Sequence, residues 1–402
     1  MRKTMWCALV CASMGMSGAS ADDALLISGF GTVGAVRTDT DEVQFVRYNQ
    51  AKGVKKGWGI GTDTNLGVQA DYRFSERLSG TVQVLTRRTT STSFTTELTW
   101  GFIKAKLNDD FSVRVGRTAL PIFMISDYQN VGYANTMMRP PVELYAAAPI
   151  ENSDGADLLY QHSFGDTTVS GQLTVGVSQG KLFVPAGGGS VGKYRAPLVG
   201  LSLSAERGPL TVRVSHLRTD FGADNVTPLN AVVAGVTAAG FPQLGRDLTL
   251  AGGKRVSFSE IGLSLNQGKL VVQAEYGMRR DLEPSYLPEL DSWYAMFGYR
   301  AGKFLPYYAH SSIKQTGRSV VLPAGFPSSG PLYNAVAVSF MTAPEQTSDQ
   351  IGLRWDFAAK AAMKVQIDRL KPLKKTGSLI FGPAAGWTKP VTAIGVSVDY
   401  VF

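Results

Sequence analysis

The segment from Val391 to Phe402, VTAIGVSVDYVF, alternates between two kinds of residue. Thr392, Ile394, Val396, Val398, Tyr400 and Phe402 form an apolar series ending in two aromatics, while Ala393, Gly395, Ser397 and Asp399 are small or polar. Side chains along a strand point to opposite faces in turn, so this segment separates an oily environment from a wet one.

The pattern recurs along the chain. Strand-like segments are expected near 25–37, 62–74, 78–88, 95–107, 111–118, 154–164, 167–178, 197–206, 209–219, 256–266, 269–279, 291–301, 304–314, 347–357, 362–370 and 391–402. Short connections (Ser75-Glu-Arg77, Asn108-Asp-Asp110, Gly165-Asp166, Arg207-Gly208, Asn266-Gln-Gly268, Gly302 and 358–361) carry the Gly, Asn and Asp of hairpin turns. They alternate with longer ones at 38–61, 89–94, 119–153, 179–196, 220–255, 280–290, 315–346 and 371–390. This rhythm predicts an all-β fold: a transmembrane antiparallel β-barrel of about 16 strands, with short periplasmic turns and long extracellular loops. Phe74, Phe111, Phe164, Phe304, Phe357 and Phe402 all fall at predicted periplasmic ends, as an aromatic girdle would.

Alternation also sorts the wall. Ile351, Leu353, Trp355 and Phe357 are expected to face lipid, with Gln350, Gly352, Arg354 and Asp356 facing the lumen. Leu66, Val68, Ala70, Tyr72 and Phe74 read outward against Gln69, Asp71 and Arg73. Val169, Leu173, Val175 and Val177 oppose Ser170, Gln172 and Thr174. A soluble β-sandwich would alternate similarly around a core. The faces of 25–37, 95–107 and 304–314 are ambiguous.

The N-terminus favours the membrane reading. Arg2 and Lys3 precede an apolar stretch, Met5–Met16, and Ala19-Ser-Ala21 forms a cleavage site, predicting a signal peptide over 1–21 and one barrel domain over 22–402. The only cysteines, Cys7 and Cys11, lie in that segment, so the mature chain has neither a disulfide framework nor a cysteine metal site. Charged residues are 18% of the chain, below the roughly 25% of soluble domains. Without the signal, 38 basic side chains face 32 acids, a balance that suggests a mild anion preference in a pore. No nucleic-acid-binding pattern, P-loop, dinucleotide fingerprint or zinc motif is present, and no cofactor or metal is expected.

The signal, the hairpin rhythm, Val398-Asp-Tyr-Val-Phe402, and Val115-Gly-Arg117 followed by a long loop and Asp154-Gly-Ala-Asp-Leu-Leu-Tyr160 together resemble the Gram-negative trimeric porins. The resemblance implies an outer-membrane location, a homotrimer in lipid and lipopolysaccharide, and a third loop, 119–153, folded into the lumen. It also implies that Tyr400 and Phe402 are read by the barrel-assembly machinery. The enteric general porins carry an acidic Pro-Glu-Phe-Gly-Gly motif in the third loop, where this chain has Arg139-Pro-Pro-Val-Glu-Leu-Tyr145, and the second loop, 89–94, is too short for their subunit latch.

The third loop, with Tyr128, Tyr133, Arg139, Glu143, Tyr145 and Glu151, is the leading candidate site. Arg87, Arg114, Arg117, Arg213, Arg279, Arg300 and Arg354 read inward or lie at strand ends; arginine keeps its charge and binds anions through a fork of donors. Asp71, Asp157, Glu206, Glu260, Glu275, Asp356 and Asp368 read inward as opposing acids, and Asp154 opens the strand after the loop. The expected constriction comprises Arg87, Arg114, Arg117, Arg139, Glu143, Glu151, Asp154, Asp157 and Arg354. The function expected is passive diffusion of small anionic or neutral hydrophilic solutes, without catalysis. A porin selective for phosphate-like or organic anions is the first alternative. A lipase-like barrel using His310-Ser-Ser312 and a structural or adhesin barrel are others.

Overall fold

The computed structural model describes residues 24–184, 189–224, 226–283, 287–317, 320–341, 345–373 and 387–402. The expected signal peptide and most of the connection at 371–390 lie outside the described residues. Sixteen strands form a closed antiparallel barrel: β1 (Leu25–Thr38), β2 (Asn65–Arg73), β3 (Leu78–Arg87), β4 (Thr95–Lys106), β5 (Phe111–Ala119), β6 (Asn152–Phe164), β7 (Thr167–Val184), β8 (Ser190–Arg207), β9 (Leu210–Asp224), β10 (Lys254–Gln267), β11 (Leu270–Asp281), β12 (Leu290–Tyr299), β13 (Phe304–Gln315), β14 (Gln346–Ala358), β15 (Ala361–Pro372) and β16 (Val391–Val401). Each pairs with its chain neighbours, and β16 returns to β1 with Val398 opposite Val33. Closure satisfies every strand's ladder, which a sheet in hydrocarbon requires.

The seam shows how closely the last strand is fitted. Phe402 and Gly29 exchange backbone hydrogen bonds at 3.0 and 3.1 Å. The rings of Phe402 and Tyr400 lie where side chains on Gly29 and Gly31 would sit, so these glycines are required by close approach. Phe402 thus belongs to the ladder itself, as the expected strand 391–402 implied, besides being a girdle aromatic.

The outer face matches the alternation. Ile351, Leu353, Trp355, Phe357, Leu66, Val68, Tyr72, Leu173 and Val175 are exposed on the outer wall, an apolar surface suited to lipid. The six expected girdle phenylalanines are all exposed at the hairpin-turn end. Neighbouring rings extend the girdle, with Phe304 stacked 5.9 Å from Trp355 and Phe111 5.0 Å from Tyr160. Gly165 and Gly208 take left-handed conformations at two of the predicted turns.

Three features depart from the expected outline. β7 and β8 run past the barrel rim, shortening the 179–196 connection to the few residues between Val184 and Ser190. Long connections expected as loops contain helices: α1 (Val142–Tyr145) in the third loop, α2 (Thr227–Ala238) and α3 (Pro242–Leu248) between β9 and β10, and α4 (Pro331–Phe340) between β13 and β14. Residues of α2, α3 and α4, with Phe241 and Phe326, pack into a separate apolar cluster at the loop end. A bulge opposite Gln83 and Val84 breaks alternation in β4, which explains the ambiguous register of 95–107.

Candidate functional site

The third loop lies inside the barrel. Leu120, Ile122, Phe123, Met124, Ile125, Met137, Leu144 and Tyr145 are buried against Leu198, Leu217, Phe258, Val271, Tyr294, Met296, Leu305, Tyr307, Ala309 and Ile313. These wall residues belong to β8–β13, so the inner wall there mixes apolar residues with buried polar ones such as Arg213, Glu260 and Glu275, where alternation led one to expect a wholly wet face. The reason is local: a strand covered by lipid outside and a packed loop inside is buried on both faces. That also accounts for the unreadable register of 304–314.

Polar anchors pin the same loop to the wall. Arg139 is 1% exposed and forks between Asp63, at 2.7 and 3.0 Å, and Asp368, at 2.5 Å, with its guanidinium 5.0 Å from the Phe45 ring centroid. Glu143, on α1, accepts from Ser311 (2.8 Å), Gln346 (2.6 Å) and Ser348. Glu275 accepts from the backbone of Met124 at 2.8 Å, from Tyr145 at 2.9 Å and from Tyr294 at 2.5 Å. Arg354 donates to the carbonyls of Tyr133 and Asn135, and Lys364 to those of Gly132 and Met137. Arg139, Glu143 and Arg354 therefore hold the loop in place, and their charged groups are occupied by protein.

The other inner sector, β2–β6, is polar. Gln69, Asp71, Thr81, Gln83 and Thr99 form a hydrogen-bonded ladder with links of 2.6–2.8 Å. At the loop end Arg87 bridges Glu97 (2.7 Å) and Glu151 (2.8 Å) and donates to Asn130, tying the wall to both the body and the root of the third loop. Burial would raise the Glu151 carboxyl, but Arg87's charge and the hydrogen bonds from Arg87 and Tyr48 outweigh it and hold it at about 2. Lower on this sector Arg114 pairs with Asp157 at 2.8 Å, and Thr174 donates to the same carboxylate at 2.7 Å.

Arg117 and Asp154 differ from their expected placement. They pair at 2.6 Å, joined by Gln179 at 3.2 Å. Their strand register gives them the parity of exposed Val115 and Leu158 rather than that of Arg114 and Asp157. Among the described hydrogen bonds, none joins either residue to the third loop.

Sequence reasoning did not single out Tyr48, Asp63 or Lys364. Tyr48 donates to Glu151 at 2.5 Å, Asp63 grips Arg139, and Lys364 sits 3.1 Å from Asp399. Tyr48 lies in a long connection without periodicity, and Asp63, expected at the start of a strand over 62–74, lies just ahead of β2, so only the folded chain reveals their partners. His310 lies on the outer face, its Nδ1 2.8 Å from Asp349 and its ring beside Trp293. Ser312 is 4% exposed and has no described hydrogen bond to His310. Among the described residues, no group of three or more metal-ligating side chains gathers.

No protein-family model matches the chain, and no curated protein matches it. Solved structures do. An anion-selective porin from Comamonas acidovorans is similar at 12% identity, with a TM-score of 0.53 over 94% of this chain and 99% of that one. OmpT, an outer membrane protein of Vibrio cholerae, in its trimer form, is similar at 14% identity and TM-score 0.53, over 94% of this chain and 100% of that one. The outer membrane channel DcaP of Acinetobacter baumannii gives 10% identity and TM-score 0.53, over 96% and 100%. With sixteen strands closed on themselves and a long third loop folded inside, the chain has the fold of the outer-membrane porins.

Proposed function

We propose that the protein is an outer-membrane diffusion channel for small hydrophilic solutes, with a mild preference for anions. The observation that carries this reading is the third loop packed inside the barrel against one sector of the wall. It leaves the polar sector β2–β6 as the route for water and solute, and passage is set by lumen cross-section and rim charge. Most inward arginines are neutralised by acids, so selectivity falls to groups without an ionic partner. Among the described residues beside this sector Arg88 and Lys104 form no described salt bridge, while Asp71 is held only by neutral donors. The excess is small and positive, which supports mild rather than strong selection. The similarity to an anion-selective porin supports the same sign.

The assembly we infer is a homotrimer in outer-membrane lipid and lipopolysaccharide, in keeping with the trimer form of the structurally similar OmpT. The girdle aromatics Tyr400 and Phe402 would serve the barrel-assembly machinery as well as the seam. Planar-bilayer recording of the purified protein across a salt gradient tests the function. Discrete conductance steps with a reversal potential of anion sign are expected. A folded protein giving no steps would refute the channel, and a cation-sign potential would refute the selectivity.

A further inference from the structure

The two ends of the polar sector differ in charge. At the loop end, the gap between the third loop and the wall is lined by Gln83, Thr99, Asp127, Asn130 and Glu151. Arg87 and Arg47 face Glu151 and Glu97 there, two charges against two. The Asp127 carboxylate has no described ion pair or hydrogen bond, so the uncompensated charge at the gap is negative. A gap of that sign opposes anions and is no source of an anion preference.

The hairpin-turn end has the opposite balance. Strand register sets Arg73 on β2, Ser79 on β3, Lys104 on β4, Arg114 on β5 and Asp157 on β6 in one row across the inner face. The row lies beside the turns, about 17 Å along β5 from the root of the third loop at Ala119, at about 3.4 Å per residue. Asp157 is committed to Arg114 at 2.8 Å and to Thr174 at 2.7 Å. Arg114 is itself buried, its guanidinium 5.2 Å from the Phe102 ring centroid. Lys104 is half-buried and Arg73 exposed, and neither has a described ion pair. The acid nearest in register, Asp71, lies one row up and accepts from Gln69 and Thr81. In the adjoining turn Glu76 and Arg77 add one charge of each sign.

Arg73 and Lys104 stand on either side of Ser79, their Cα atoms about 10 Å apart, twice the strand spacing. The short Ser79 side chain leaves room between two long cationic ones. A solute following this sector meets a hydroxyl flanked by a guanidinium and an ammonium, groups that favour a small anion.

We propose that the channel's anion preference is set at this periplasmic outlet, by Arg73 and Lys104 flanking Ser79, and not in the gap beside the third loop. This rests on the channel reading above. Asp127 works against the preference, which is why the net selection is mild.

Reversal potentials in a potassium chloride gradient test the placement. Replacing Arg73 and Lys104 together by Gln should bring the potential to zero or to cation sign. Arg73→Lys with Lys104→Arg, which keeps both charges, should match the parent, and Asp127→Asn should move the potential further towards anion sign. All these shifts should shrink at high salt. A parent-like anion-sign potential in the Gln pair would overturn the proposal. A second measurement needs neither conduction nor the Gln pair. The chain past residue 21 has no cysteine, so Ser79→Cys places a single thiol in the row. In detergent-solubilised protein, with each rate divided by that of a free thiol in solution, an anionic thiosulfonate should react about tenfold faster than a cationic one. Lys104→Gln in that background should lower the ratio severalfold. Equal normalised rates, or a ratio untouched by Lys104→Gln, would overturn the proposal. A folded protein without conductance would refute the channel, and the thiol rates would still decide whether the row gathers anions.

Discussion

The inner wall has two sectors built from the same kind of strand. Along β8–β13 apolar residues, with a few buried polar anchors such as Glu275 among them, are sealed by the third loop, whereas along β2–β6 the wall residues are polar and hydrogen-bonded to each other. Their outer faces are alike, rows of exposed aliphatics ending in aromatics. The outside of a barrel is therefore dictated by lipid all the way round, but the inside is dictated by whatever folds into it.

If the dry sector is a packed core, breaking it should cost stability first. Arg139→Ala leaves Asp63 and Asp368 buried without their counter-charge, a loss of about 3–5 kcal/mol. The thermal midpoint should drop sharply and single channels should become noisy as the loop detaches. A variant as stable and quiet as the parent would remove Arg139 as the latch.

Truncations of similar size should separate the two sectors. Leu144→Ala opens a hole in a fully buried cluster and should cost about 2–5 kcal/mol. Gln69→Ala on the polar ladder should cost about 1 kcal/mol, since water can replace the lost partner. The conductance change should be ordered the other way if solutes follow β2–β6. Equal destabilisation at both sites would erase the distinction between the sectors.

The boundary between them is sensitive to acid. The Glu151 carboxyl is held at about 2, below its ordinary 4.5, so its contribution is complete above about pH 4.5 and is lost as pH falls towards 2. Stability and conductance should be flat from neutral pH to about 5 with respect to this group. The acid loss below that should shrink in Glu151→Gln, which lacks the titrating carboxyl. A midpoint near neutrality that Glu151→Gln abolishes would contradict the assignment.

What the sequence disclosed follows the same division. The outer rows, such as Ile351, Leu353, Trp355 and Phe357, were legible because lipid imposes one uniform demand on every second residue. The strand count and the turns at Gly165 and Gly208 were legible from local chemistry. The loop's inward course came from family resemblance, and its contacts could not be read at all. Arg139 meets Asp63 across 76 positions and Asp368 across 229, separations that no local pattern spans. Arg117 and Arg114 looked equivalent by composition, but three positions along a strand place them on opposite parities.

The central claim is that the third loop occupies the lumen, and deletion of 125–145 tests it most directly. With the shortened protein still folded, as judged by heat-dependent gel migration, its single-channel conductance in potassium chloride is compared with that of the full chain. The structure predicts a larger conductance and a weaker dependence on solute size. Conductance equal to that of the full chain, from a properly folded barrel, would place the loop outside the path and contradict the account.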